Sequence, residues 1–130
     1  MNISQKVWFP ASPHAVYEVL MDVQKHADMT GEAADISRRV GGRFTAYGDY
    51  ISGTNLELDA DRKIVQKWRA SDWPKGHFSI ATFLIQREGK GTTIAFTQTD
   101  VPDDKADSIA AGWKEFYWDR MNAYFRKRKK

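Results

Sequence analysis

The chain has 130 residues and a mass of 14.9 kDa, room for one domain that buries roughly two-thirds of the surface its unfolded form exposes. Hydrophobic residues at 42% and aromatics at 13% exclude disordered, collagen-like and low-complexity classes, and the absence of Cys excludes a disulfide framework, thiolate metal sites and a cysteine nucleophile. No apolar run approaches the ~20 residues of a membrane span, and the opening Met1-Asn2-Ile3-Ser4-Gln5-Lys6 lacks a signal-peptide core, so a cytoplasmic location is expected. The net charge of +3 is carried by a tail: without Arg126, Lys127, Arg128, Lys129 and Lys130, 15 basic residues face 17 acidic ones, a body of −2. Such a terminal cluster serves solubility, and no specific nucleic-acid partner is expected.

Residues 2–9 alternate, with Ile3, Val7 and Phe9 on one side, and read as a strand with one buried face that Trp8 interrupts. Ser12 is a capping residue and Pro13 a first-turn residue, so a helix begins there, with Val16, Val19, Leu20 and Val23 as its apolar stripe. A short second helix runs to about Met29 and stops at Thr30-Gly31. From Ala34 to Asp100 the period is two. Turn residues at Gly41-Gly42, Gly48-Asp49, Asp59-Ala60-Asp61, Trp73-Pro74-Lys75-Gly76 and Gly89-Lys90-Gly91 divide this stretch into about six strands. Gly48-Asp49 has the Gly-first form of a type II′ hairpin. The longest strands are expected at 77–87 and 92–100, in a register that buries Ile94 and Phe96. After Pro102 the period returns to 3.6: Asp103 or Asp104 caps a helix to about Arg126, with Ile109, Trp113, Phe116, Tyr117, Met121 and Tyr124 as its apolar face. The expected architecture is α+β: about seven strands in a curved antiparallel sheet wrapped around a long C-terminal helix, with two short helices after strand 1. It forms a single domain over residues 1–126, followed by a basic tail at 127–130.

The segment Ile64-Val65-Gln66-Lys67-Trp68-Arg69-Ala70-Ser71-Asp72-Trp73-Pro74-Lys75-Gly76-His77-Phe78-Ser79 is distinctive. With Gly41-Gly42-Arg43-Phe44, Tyr50-Ile51-Ser52-Gly53, Gly91-Thr92-Thr93, Val101-Pro102 and Gly112-Trp113-Lys114-Glu115-Phe116-Tyr117 in order around it, nearly the whole chain resembles one family. That family is named for the C-terminal domain of the activator of the heat-shock protein 90 ATPase, within the START-like, helix-grip (Bet v-type) superfamily. The resemblance implies the fold just derived. It also implies a possible chaperone partner, although eukaryotic members carry an additional N-terminal domain that contributes much of that contact, and this chain is expected to begin directly at the grip domain. Members of the wider superfamily bind lipids, plant hormones and polyketides, and some are cyclases or hydrolases, so the fold does not choose among activities.

Candidate site residues follow from alternation. Gln66 and Trp68, Phe78, and Phe96 and Gln98 lie on strands whose faces can meet Trp113 and Tyr117 of the terminal helix; Phe44 and Tyr50 are further candidates, Tyr50 and Tyr117 as hydrogen-bonding groups that would orient a ligand. These aromatics either interdigitate as core or enclose a chamber. The amides of Gln66 and Gln98 need partners, supplied by a ligand, by water or by a solvated sheet rim. Trp73 either covers the open end of the sheet or docks on a partner, and Arg69 is expected in a surface ion pair. No catalytic constellation is visible, since His14, His26 and His77 lack metal-ligand spacing and neither a phosphate loop nor a Gly-x-Ser-x-Gly elbow occurs. The leading expectation is therefore a monomeric, non-enzymatic domain without metal or cofactor that binds a small hydrophobic molecule between sheet and helix. The alternative is a stress-related co-chaperone domain. A cavity of several hundred Å³ would favour the first.

Overall fold

Seven strands, β1 (Ile3–Phe9), β2 (Asp35–Ile36), β3 (Arg43–Ala46), β4 (Ile51–Asp59), β5 (Lys63–Ala70), β6 (Ser79–Glu88) and β7 (Gly91–Thr99), form a single sheet in the computed structural model, which describes residues 1–128. Every pairing is antiparallel and the order is β1-β7-β6-β5-β4-β3-β2, so strand 1 closes against the last strand and the rest is a meander. The inner face carries Ile3 and Phe9 of β1, Ile64 and Trp68 of β5, Ala81, Phe83 and Ile85 of β6, and Ile94 and Phe96 of β7, all buried. A one-residue slip of β7 would turn Ile94 and Phe96 into water, which is why its register is firm.

Two helices, α1 (Pro13–Met21) and α2 (Val23–Thr30), follow β1. Ser12 Oγ accepts from the Ala15 N–H at 3.1 Å with Pro13 in the first turn, as its sequence chemistry requires. The expected stripe stops short of Val23, which is exposed, because Asp22 ends α1 and its side chain accepts from the Lys25 N–H to start α2 in a new direction. Gly31, at φ +77°, terminates α2 in the left-handed cap geometry that glycine favours. The β3–β4 connection places Gly48 at φ +67° in the first central position of a turn closed by the Tyr50 N–H and the Tyr47 carbonyl at 3.3 Å.

The C-terminal element differs from its sequence reading in three ways. Its start is a 3₁₀ turn at Asp103–Lys105 in which neither Asp103 nor Asp104 caps a backbone N–H. The helix then runs as α3 (Ala106–Trp113), a π-helical turn (Lys114–Trp118) and α4 (Asp119–Arg128), so Lys127 and Arg128 of the expected tail are helical while Lys129 and Lys130 lie outside the described residues. The π turn, closed by the Asp119 N–H donating to the Lys114 carbonyl, inserts one residue into the spiral. A uniform 3.6 period would keep Phe116 and Tyr124 inside. The extra residue instead rotates the following face, so Trp113, Tyr117, Trp118, Met121 and Phe125 are buried, Phe116 is 40% exposed, and Ile109 and Tyr124 are half-buried.

The result is one aromatic cluster between sheet and helix. Trp113 lies 4.4 Å from Phe96, 4.7 Å from Tyr117, 5.4 Å from Trp118 and 5.5 Å from Trp68 between ring centroids. Such contacts add roughly 0.5–1.5 kcal/mol per pair beyond area burial.

Candidate ligand-binding site

The curl of the sheet leaves a gap between the β3–β4 hairpin, the end of β5 and the helical segment around the π turn. Tyr47, Tyr50 and Ile51 enter it from the hairpin, Trp68 from β5, and Ser108, Ile109, Gly112, Trp113, Phe116 and Tyr117 from the helix, enclosing about 280 Å³. Trp68, Trp113 and Tyr117 are buried and form its floor, whereas Tyr50, Ser108 and Phe116 are exposed and form its rim. An apolar cavity of roughly 150 Å³ takes up benzene, so this one has space for about two fused rings. Gly112 leaves the helix bare where it borders the gap: a Cβ there would meet only the Phe116 ring, at 3.8 Å.

The local backbone is unusual on both walls. Tyr47 sits at φ +52°, the left-handed region that bulky residues avoid, and such outliers persist where surrounding structure over-determines them. Here its hydroxyl donates to the Phe116 carbonyl at 2.5 Å, and its ring stands edge-on to Phe116 and Tyr117 at 5.7 and 5.9 Å. The hairpin is thereby tied to the π turn. Burial pushes the Tyr47 phenol up to about 12 and moves Tyr117 upward as well, so both stay neutral at ordinary pH. Tyr117 shares a hydrogen bond of 3.1 Å with His26 Nε2, and burial depresses the imidazole to about 4, which keeps it uncharged.

Of the residues expected at the site, Tyr50, Trp68, Trp113 and Tyr117 meet at this cavity. Phe44 and Gln66 lie behind its floor, around a void of about 20 Å³ that shares Trp68, Trp113 and Tyr117 as walls. Gln66 donates to Asn55 Oδ1 at 3.3 Å, and Asn55 in turn donates to the Ser37 and Arg39 carbonyls. Phe96 and Gln98 are fully buried beneath Trp113. Gln98 accepts from Trp113 Nε1 at 2.8 Å and donates to Ser79 Oγ at 2.9 Å, and Ser79 donates to the Trp68 carbonyl at 2.8 Å. Gln98 is thus paired within the protein at both its oxygen and its nitrogen, Gln66 at its nitrogen, and neither amide lines the cavity.

Phe78 is on the other side of the sheet. Trp68 pairs with Ser79, and directly opposed residues share a face, so Ser79, Ala81, Phe83 and Ile85 point inward and Phe78 points out, 4.5 Å beneath Lys67 Nζ. Phe83 is the inward aromatic of β6, and the alternation of Ala81, Phe83 and Ile85 against Thr82 and Gln86 was the available signal. Tyr47, Ser108 and Gly112 also line the cavity without having been singled out, because a left-handed Tyr and a bare helical Gly leave no periodic trace. Trp73 covers the end of the core, buried against Trp68 at 5.4 Å. Among the described residues Arg69 makes no ion pair. Its guanidinium donates to the carbonyls of Trp73, Pro74 and His77 and so holds the covering loop.

Fold and cavity together define a helix-grip domain with an aromatic recess between its sheet and its terminal helix. The chain belongs to the family described as activator of Hsp90 ATPase homolog 1-like protein, whose model matches residues 10–126. An activator of 90 kDa heat shock protein ATPase homolog from Dictyostelium discoideum is 33% identical over 125 residues, 95% of this chain and 33% of that protein. The Homo sapiens activator homolog 1 is 26% identical over 124 residues, 95% of this chain and 37% of that protein. The chain therefore spans about a third of the length of the curated relatives it matches. Among solved structures, an HSP90 activator from Plasmodium falciparum superposes with a TM-score of 0.89 at 20% identity, covering 95% of this chain and 94% of that one. CalU16 from Micromonospora echinospora superposes at 0.81 with 18% identity, covering 95% and 75%. These likenesses establish the helix-grip fold. No described helix is long and apolar enough to cross a membrane.

Proposed function

We propose that the domain binds a small, largely apolar aromatic or lipid-like molecule in the cavity between the β3–β4 hairpin and the π turn. The observation that carries this reading is the recess itself: about 280 Å³ walled by six aromatic rings, with Gly112 leaving the helix bare beside it. Aromatic burial supplies affinity at roughly 25 cal/mol per Å², and the few polar atoms orient the guest. A chemical-shift screen with lipids, flavonoids and chalcones tests it. Shifts centred on Trp68, Gly112 and Trp113 are expected; shifts confined to exposed loops would overturn it. The domain is taken as a cytoplasmic monomer, for which sedimentation equilibrium gives a direct check of the oligomeric state.

A second reading, contact with a heat-shock protein 90 type chaperone, is favoured by family membership and by the activator names of its relatives. Stimulation of the chaperone's ATP turnover by the purified chain supports it. Unchanged turnover at saturating concentration, with no binding by titration, rejects it.

A further inference from the structure

We infer that the cavity recognises its guest through a neutral hydrogen-bond acceptor on a flat ring system, of the kind an aryl ketone carries, and that the indole N–H of Trp68 is the donor that meets it. The inference rests on the ligand-binding reading above and adds to it the polar contact that sets the guest's class and orientation.

Trp68 stands in the floor of the cavity, 3% exposed and packed 5.4 Å from Trp73 and 5.5 Å from Trp113. A buried indole N–H ordinarily has an acceptor. Trp113 and Trp118 follow that rule, donating to Gln98 and Gln5 at 2.8 and 2.7 Å, whereas the Trp73 N–H is sealed within its packing without a partner. The Trp68 N–H differs from all three: it has no partner among the described residues, yet its neighbours do not close it off. Its side chain borders the cavity of about 280 Å³ and the void of about 20 Å³ behind the floor, and the void has space for no more than about one water molecule. The cavity is therefore where a larger acceptor can reach it.

The neighbouring hydroxyls do not compete for that role. Tyr47 donates to the Phe116 carbonyl at 2.5 Å, Tyr50 to the Asp72 carboxylate at 3.1 Å and Ser108 to the Lys105 carbonyl at 3.0 Å, so their protons are engaged. Tyr117 shares a proton with His26 Nε2 and presents to a guest whichever of proton or lone pair that bond leaves over. The Trp68 N–H can only donate.

The consequence is selective. An all-carbon guest displaces water from this N–H and leaves it bare among rings, the costly state of a buried donor. A guest with a carbonyl in the plane of its ring fills the same space and restores the bond. None of the lining residues carries a charge, so a neutral carbonyl suits the floor, while a carboxylate finds no counter-ion among them.

The test compares tetralin with 1-tetralone, bicyclic molecules that differ by a carbonyl in place of a methylene. In an NMR titration of the ¹⁵N-labelled full chain, both should shift Gly112 and the indoles of Trp68 and Trp113, as should 2-naphthol, a third probe of similar size. 1-Tetralone should carry the Trp68 Hε1 resonance further downfield than tetralin does, since the shared ring gives both nearly the same ring-current shift. The affinity ratio of ketone to hydrocarbon should then fall about tenfold in Trp68→Phe, the worth of about one hydrogen bond, and the difference in water solubility cancels because both ratios contain it. Should Trp68→Phe not fold, the Hε1 comparison in the parent chain decides alone. Equal Hε1 shifts with the two probes, or a ratio unchanged in folded Trp68→Phe, would overturn the inference and leave the cavity standing. If none of the three probes shifts Gly112, Trp68 or Trp113, the ligand-binding reading fails and the inference with it.

Discussion

Replacing Gln98 with Leu separates a structural amide from a ligand contact. Gln98 is fully buried, accepts from the Trp113 indole at 2.8 Å and donates to Ser79 at 2.9 Å, and Ser79 holds the Trp68 carbonyl. The relay clamps the terminal helix to β5 and β6. Gln98→Leu removes two hydrogen bonds worth about 1 kcal/mol each and leaves the buried Trp113 N–H unpaired, at about 1–3 kcal/mol. Added apolar burial offsets part of that, so the net loss should be roughly 2–3 kcal/mol. Urea unfolding followed by Trp fluorescence reads it: with a slope of about 2 kcal/mol/M, the midpoint should fall by about 1 M at unchanged slope. A midpoint within about 0.2 M of the parent would refute the clamp, since no intact relay can be removed so cheaply.

Filling the cavity should cost no stability. Gly112→Leu places its side chain where a Cβ meets only the Phe116 ring, so the melting temperature should hold or rise with the better helix former while the affinity for 2-naphthol falls at least about tenfold. His26 gives a pH dependence. Its folded value of about 4 lies below the 6.5 of an unfolded His, so the unfolded chain takes up a proton that the folded ring refuses. The stability this neutral ring contributes is complete above pH 6.5. It is lost at roughly 1.4 kcal/mol per pH unit as the pH falls toward 4, a loss that should be absent from His26→Gln; the ring's own NMR titration near 6.5 would contradict this. Arg69→Met should release the loop that covers Trp73, at a cost of roughly 2 kcal/mol, and shift Trp emission to longer wavelength. An unshifted spectrum with unchanged stability would show that the carbonyl contacts do not hold the loop.

Much of the fold was legible because its signals are local. Ser12-Pro13 is a cap before it is anything else, Gly31 a stop, and the alternation of β7 fixes both its face and its register. The family block around Trp68 added the topology. What escaped were features where backbone geometry departs from its ordinary period. The π turn adds a residue that no periodicity shows, which moved Trp118 and Phe125 inside and Phe116 to the rim. Alternation counted over 77–87 puts Phe78 on the inner face, whereas β6 starts at Ser79 and buries Ser79, Ala81, Phe83 and Ile85. Gln98 and Gln66 read as amides in search of partners because those partners, Trp113, Ser79 and Asn55, are 11 to 19 residues away in sequence and meet them only across the sheet or between sheet and helix. The cavity follows from Trp68 lying where strand alternation puts it and Trp113 and Tyr117 where the helical period does, but its opening depends on Tyr47 and Gly112, whose roles are conformational.

The central claim is that a guest sits among Trp68, Trp113 and the aromatic hairpin. Intermolecular NOEs between the isotope-labelled chain and unlabelled 2-naphthol measure it directly. Cross-peaks from Ile51, Ile109, Trp113 and Tyr47 are the predicted result, and they should vanish in Gly112→Leu. Cross-peaks arising instead from exposed apolar residues such as Trp8, Val40 or Leu84, or none from the cavity at saturating probe, would contradict it.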